Sequence, residues 1–563
     1  MFDWLSSRLK KNDGDAHPLT TEAGLRQLLD EATVGSANGV LRTLAETLED
    51  LTDLEDRIDP EARIRATLGI DERAREFLPL LWDQLFPPLL RTLLPDDVWL
   101  ILASYYRHSA LAASAALAVF PKAELETSSG RKQFALLSLI ALQSRYGHEK
   151  LQRFRYRPAE PGLWQDYAKL YRDARKWGVN AQPVKVPGDA EKEVALQTVL
   201  LRALMLEVAP LENLAPEQIE CLDRLLARDA AMLTLKGAAD ERSPFVFAEG
   251  PPSRFDATRP PVAEALFFGP GLAYNDLQRV HAALEKNKPV DWLDPAPGTP
   301  AQKLALFALL KDCWSDTPPH RQSPREPSEG KLLVVHGFTQ VRRMVAAASF
   351  ARSGRQLSLY SSYQSRTQSQ EEYFGSVAEE VPEENNEVPL TPLQVLQKLE
   401  LAGDRDQMEQ WIVADRSSQG MGLVVPQQKR WLKIGSLLGF RRKDAMQWEL
   451  AVIRRLGRNI QSQRVAGLLL FPGLAEPVSL RPLKEGESIQ SRKDSLADFC
   501  DGILLSPDER TLLLEADLGQ VDDRYLLLAH GRRHGIRVEE VLESRDDFTL
   551  VRYRSEPSDN PTE

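Results

Sequence analysis

Two hydrophobic spacings divide this chain. From about residue 19 to 237, apolar residues recur at three- and four-residue steps. Leu25, Leu28 and Leu29 follow a Thr20-Thr21-Glu22 start, Leu163, Tyr167, Leu170, Tyr171 and Ala174 share one face, and Ile219, Leu222, Leu225 and Leu226 share another. That spacing belongs to amphipathic helices, and Thr followed by an early acid is a helix start signal. Repeated along the segment, it predicts an all-α bundle or short solenoid of helical pairs. The stripe Trp164, Tyr167 and Tyr171 has no second copy at the tetratricopeptide period of about 34 residues; it reads as core, with a binding groove as the alternative.

After about residue 331 the pattern changes to short apolar runs separated by turn residues. These are 332–338, 411–414, 421–425, 432–440, 448–455 and 464–471, and then 502–505, 511–514, 525–528 and 548–551. Short runs rich in Val, Ile, Leu and aromatics at close intervals predict an antiparallel sheet closing toward a barrel. The expected fold is therefore multidomain α+β, a helical half followed by a β-barrel with additional strands.

Prolines and charge mark the boundaries. The expected division is a tail 1–18, a helical domain 19–315, a Pro-rich linker 316–330, a β/α segment 331–370, an acidic linker 371–392, a barrel 393–482, a β extension 483–554 that either lengthens the barrel or forms a second small unit, and a tail 555–563. The acidic linker holds Glu371, Glu372, Glu379, Glu380, Glu383, Glu384 and Glu387 among Pro and Asn, a composition that stays solvated.

Between the runs 411–414 and 421–425 lies Asp415-Arg416-Ser417-Ser418-Gln419-Gly420. As a turn it is ordinary, since Asp and Ser hydrogen-bond their own main chain and Gly relaxes the backbone. The spacing D-x-S-x-x-G, followed by a strand with Ile434-Gly435, a strand ending in Arg454-Arg455, one with Ala466-Gly467 and the run 477–481, resembles the PilZ family of cyclic di-GMP receptors. The resemblance covers roughly 408–482. It implies a barrel that binds the dinucleotide, with Asp415, Ser417 and Gly420 as signature contacts.

The family's other half-signature is R-x-x-x-R upstream of the first strand, and none occurs in the segment 393–410 that leads into the run 411–414. Arg405 stands alone, Arg352 and Arg355 are spaced R-x-x-R, and the pair Arg454 and Arg458 lies after the signature. The ligand carries two phosphodiester charges and two guanines, and arginine suits both by forking onto phosphate and stacking on purines. Arg405, Arg454 and Arg455 are the candidates for that charge on chemical grounds alone.

Composition narrows the rest. At 563 residues the chain exceeds a single core. Its 71 Lys and Arg against 82 Asp and Glu, net −11, argue against nucleic acid or a lipid surface as the main partner. Cys221, Cys313 and Cys500 form no C-x-x-C and fit a reducing cytoplasm. The alanine-rich run 109–121 is too short for a bilayer span, which needs about 20 residues. Val335-His336-Gly337 resembles the oxyanion strand of α/β-hydrolases, but the chain has no G-x-S-x-G to supply a nucleophile. His530 and His534 are four apart beside Gly531 and Gly535, where a surface turn is expected rather than a metal site. There is no P-loop and no G-x-G-x-x-G after a strand.

Two functions follow. One is a cytoplasmic cyclic di-GMP effector, not an enzyme, needing no cofactor or metal, whose helical half binds a protein partner. The other is a PilZ-like scaffold that has lost the nucleotide.

Overall fold

The computed structural model describes residues 17–54, 57–86, 94–186, 189–258, 264–318, 326–353, 391–401, 408–426, 429, 431–459, 461, 463–484, 499–506, 508–529 and 532–556. The chain forms two compact units, Met1–His320 and Arg321–Glu563. Arg405, both tails as far as 16 and from 557, His530 and the segment 354–390 with its glutamates lie outside the described residues.

The first unit is built on helices α1 (Glu22–Ala32), α2 (Ala37–Asp53), α3 (Pro60–Arg75), α4 (Leu78–Leu85), α5 (Asp96–Ala118), α6 (Ser128–Arg153), α7 (Leu163–Lys176), α8 (Leu196–Glu207), α9 (Pro216–Arg228), α10 (Ala273–Leu284) and α11 (Pro300–Trp314). Their starts follow the sequence signals. Thr21 accepts from Gly24 N at 3.1 Å, Asp59 accepts from Glu61 N and Ala62 N with Pro60 in the first turn, and Thr299 with Gln302 forms a reciprocal capping box.

Leu41, Leu44, Ile70, Leu102, Leu139, Leu200 and Leu204 are wholly buried in one core. Trp164, Tyr167 and Tyr171 join it, so the aromatic stripe is core. The run 109–121 falls mostly in α5, and no helix among the described residues is long and apolar enough to cross a membrane.

This unit also holds strands where only helix was expected. β1 (Val184–Val186) pairs with β2 (Asp189–Val194), and β3 (Thr234–Lys236), β4 (Phe245–Phe247), β5 (Ser253–Arg254) and β6 (Leu266–Gly269) form a sheet in the order β3-β6-β4-β5. All of these but β2 have two to four residues, too few to display a two-residue period.

One buried acid in this unit is set against its own charge. Burial pushes the Glu149 carboxyl up to about 7, despite Arg153 Nη2 at 2.9 Å. Between the ordinary value of 4.5 and about 7, the folded state then holds a proton that the unfolded state has released, so stability falls as pH rises through that window. The Tm of Glu149→Gln relative to the native chain should therefore rise from pH 4.5 to 7. A difference that stays flat over this range would refute the assignment.

The second unit contains α12 (Phe338–Arg352), α13 (Pro392–Leu401) and strands β7 (Glu326–Pro327), β8 (Lys331–His336), β9 (Glu409–Arg416), β10 (Gly420–Val425), β11 (Leu437–Arg442), β12 (Glu449–Arg458), β13 (Arg464–Leu470), β14 (Glu476–Pro482), β15 (Cys500–Ser506), β16 (Thr511–Glu515), β17 (Arg524–Ala529), β18 (Arg532–Ser544) and β19 (Phe548–Ser555). They make two antiparallel six-stranded barrels. The first runs β8-β11-β12-β13-β10-β9 and closes through β8 and β9, with β7 added to β9; the second closes in the order β14-β15-β16-β19-β18-β17.

The limits expected from sequence shift at both ends. β14 pairs with β15 and β17, so 476–482 opens the second barrel instead of finishing the first. β8, placed outside the barrel 393–482, is one of its strands, and a long insertion separates it in sequence from its partner β9. The turn expected around His534 is instead part of β18, whose buried Ile536 and Val538 alternate with charged positions. A shared core of Val335, Phe338, Val341, Leu437, Ile503, Leu513 and Phe548 joins the two barrels through α12.

Candidate functional site: an outward row on the first barrel

β9 and β10 form a hairpin whose turn holds the D-x-S-x-x-G segment. Ser417 N donates to the Gly420 carbonyl at 2.8 Å, and Ser417 Oγ donates to the same oxygen at 3.3 Å. A Cβ on Gly420 would sit 2.9 Å from the Leu468 carbonyl oxygen on β13. Ser417 therefore closes the turn, and Gly420 lets β10 lie against its neighbour.

Asp415 pairs with Gly422 across the hairpin, Gly422 with Gly467 on β13, and Gly467 with Arg455 on β12. These four residues make one row across four strands, a carboxylate at one end and a guanidinium at the other, with bare backbone between. At about 4.8 Å per strand the row spans roughly 14 Å. A Cβ on Gly422 would lie 2.7–2.9 Å from the Asp415 carboxylate, and one on Gly467 would lie 3.0 Å from Arg455 Cβ. Both side chains thus lie along the glycine floor. The residues alternating with the row, Met421, Leu423, Leu456, Ala466 and Leu468, are buried, so the row faces out of the barrel. Ile412 and Leu469, 49% and 36% exposed, flank it on the same side.

Adjacent arginines have different positions here. A β-bulge between Ile453 and Arg455 makes Arg454 the extra residue of β12. Arg455 takes its place in the row, whereas Arg454 forks onto Glu543 of β18 with Nη1 to Oε1 at 2.7 Å and Nη2 to Oε2 at 2.5 Å. Arg545 Nε also donates to Glu543 at 2.5 Å. Burial opposes the charge of Glu543, but the two guanidinium partners outweigh it and hold the carboxyl below its ordinary value. Arg454 is thus a tie between the two barrels.

Nearby charges are also paired, Arg416 Nη2 with Glu449 Oε2 at 3.2 Å. At the start of β9, Glu409 accepts from the indole nitrogens of Trp411 at 3.0 Å and Trp431 at 3.3 Å. The Trp431 ring stacks on His336 at 3.9 Å, and burial lowers the His336 pKa.

Of the residues singled out from sequence, the structure brings Asp415, Ser417, Gly420 and Arg455 together at this hairpin and row and directs Arg454 elsewhere. Gly422 and Gly467 were missed as site residues. Their signal was available, since Gly inside a strand marks close approach of another group. Chemically, the row sets a carboxylate acceptor and a guanidinium donor over two glycines on one face of the barrel.

The chain thus combines a helical domain with paired antiparallel barrels, one of which carries an outward acid–base row. Over residues 23–240, within the helical unit, it matches the protein family described as the N-terminal domain of the cyclic-di-GMP receptor FimW. No curated protein and no solved structure matches the chain.

Proposed function

We propose that this chain is a cyclic di-GMP receptor whose first barrel is a PilZ-type barrel taking the nucleotide on the Asp415–Arg455 row, and whose helical unit meets a protein partner in the cytoplasm. The observation that carries this reading is the match of residues 23–240 to the N-terminal domain of a cyclic-di-GMP receptor. The signature hairpin on a separate barrel supports it. Asp415 would accept from guanine, Arg455 would take a phosphate or stack on a base, and Ser417 and Gly420 would hold the hairpin edge in place. The role is signalling, not catalysis. Any change that nucleotide imposes on the partner-binding unit is bounded by its differential affinity for the two arrangements.

The scaffold reading keeps one observation in its favour: Arg454 is already committed to Glu543, and Arg455 is the one positive charge of the four-residue row. Calorimetric titration of the full chain with cyclic di-GMP separates the two. Binding is expected, with Asp415→Ala and Arg455→Ala each weakening it by about tenfold or more, the worth of a charge-assisted hydrogen bond. No heat at high micromolar nucleotide would leave the scaffold. Unchanged affinity in both variants would move the site off this row.

A further inference from the structure

On the second barrel, Arg524 of β17 pairs with Arg537 of β18, and Arg537 pairs with Arg554 of β19. The residues that alternate with them, Tyr525, Ile536, Val538 and Tyr553, belong to that barrel's core, so the three arginines face outward in one row. Facing residues on neighbouring antiparallel strands stand about 5 Å apart, and like charges set directly opposite one another destabilise a sheet. The row needs anions to offset it.

The chain supplies one of them. Glu556 continues β19 beside β18, its N–H donating to the Gly535 carbonyl at 2.8 Å, and its carboxylate turns back to the row. Arg524 donates to it through Nε at 3.0 Å and Nη2 at 2.7 Å, and Arg537 donates through Nε at 3.1 Å. Asp522 adds a looser contact with Arg537 at 3.8 Å. Both acids serve the Arg524–Arg537 end. Arg554 is exposed and meets no carboxylate among the described residues. Arg552, the next outward residue of β19, is already paired with Glu540. The row is thus a carboxylate receptor with one place taken and one open.

The shape of the face selects the occupant. It is the convex outside of a closed barrel, whereas small-molecule sites are concave, so the complementary surface is another macromolecule. Arginine is enriched at protein interfaces, and Val521, 56% exposed and one residue from Asp522, gives an apolar contact at the end of the row. Single-stranded nucleic acid would want aromatic side chains for its bases, but the tyrosines of these strands turn into the core, and a net charge of −11 repels a long polyanion. Carboxylates of a protein fit the fork that Glu556 already displays.

We infer that the outward face of β17, β18 and β19 docks an acidic segment of a partner protein, one carboxylate of which takes Arg554 and completes the row that Glu556 begins. The inference stands apart from both nucleotide readings.

The test titrates full-length protein into a fluorescein-labelled peptide of alternating Glu and Ala, read by anisotropy at low and at physiological salt. Binding is expected, and it weakens as salt rises. Arg554→Gln should weaken it about threefold and Arg554→Glu about tenfold or more, while Arg172→Gln, at an exposed arginine of the helical unit, leaves it unchanged. Glu556→Gln should tighten it about threefold or more, because Arg524 and Arg537 lose their internal carboxylate. Circular dichroism checks that every variant is folded. No binding by folded protein at high micromolar concentration overturns the inference, as does a loss in Arg172→Gln equal to that in Arg554→Glu, or a Glu556→Gln that binds no better. An oligo-dT that binds more tightly than the peptide would give the face to nucleic acid, and a concentration-dependent dimer lost in Arg554→Glu would give it to a second copy of the chain. Peptide binding that tightens when 371–387 are deleted would give it to the chain's own glutamates. Each of these three results also overturns the assignment to a partner protein.

Discussion

Arg441→Met is expected to destabilise the second unit by about 3–5 kcal/mol, the usual consequence of breaking one side of a buried ion pair. Arg441 and Glu400 have side chains 0% and 4% exposed. Arg441 Nε donates to Glu400 Oε1 at 2.6 Å, Nη2 donates to Oε2, and Nη1 donates to the carbonyls of Arg442, Lys443 and Ala445 at 2.8, 2.9 and 3.1 Å. Trp448 Nε1 adds a bond to Glu400 at 3.1 Å. Methionine would fill much of the space but leave a buried carboxylate and three carbonyls without a cation. Glu400 belongs to α13, so the loss should also loosen that helix from β11. Urea melts followed by tryptophan fluorescence provide the measurement. The double variant Arg441→Met with Glu400→Leu should recover a large part of the deficit, because the uncompensated charge is then gone. A single variant as stable as the native chain would show that the pair contributes little.

Asp223→Ala should cost the helical unit a similar amount, about 3–5 kcal/mol. Asp223 is 5% exposed and receives Lys150, Tyr146 and Arg202 together. Its removal leaves Lys150 with Glu220 alone and takes from Arg202 the carboxylate it donates to. The titration follows from the same geometry. Burial opposes the charge of Asp223, but Lys150 and Arg202 outweigh burial and hold its pKa well below the ordinary 3.8. The stabilisation is therefore complete above about pH 4 and is lost as pH falls toward the folded-state value, because the unfolded chain takes up the proton first. Acid denaturation of the helical unit should begin at higher pH in the native chain's variants that keep Asp223 but lose a cation, and Asp223→Asn should flatten the acid limb. Thermal melts from pH 2 to 6 measure both.

Helices carried by long apolar periods were legible without coordinates, and so were most strand runs of the two barrels, because a strand that buries one face tends to show it in sequence. What could not be read was which strands closed on which. β8 is separated from β9 by more than seventy residues, and the pairing depends on shape complementarity that no local pattern records. The edge at Pro482 failed for the same reason, since β14 has the composition of its neighbours on either side. β18 was hidden by its charged outer positions, where Arg533, Arg537 and Glu539 obscure the alternation that Ile536 and Val538 begin. At the site, D-x-S-x-x-G located the hairpin but not the row, because Gly422 and Gly467 become a floor only when three strands are in register. The different directions of Arg454 and Arg455 depend on a single bulge, which leaves no mark in the residue types.

That bulge has a mechanical meaning. With one extra residue in β12, the side chain that ends the outward row and the side chain that ties the two barrels are neighbours along the main chain. Their Cα atoms stand one peptide unit, about 3.8 Å, apart. A deletion that removed the extra residue from β12 would leave room for only one of the two roles at that position of the strand.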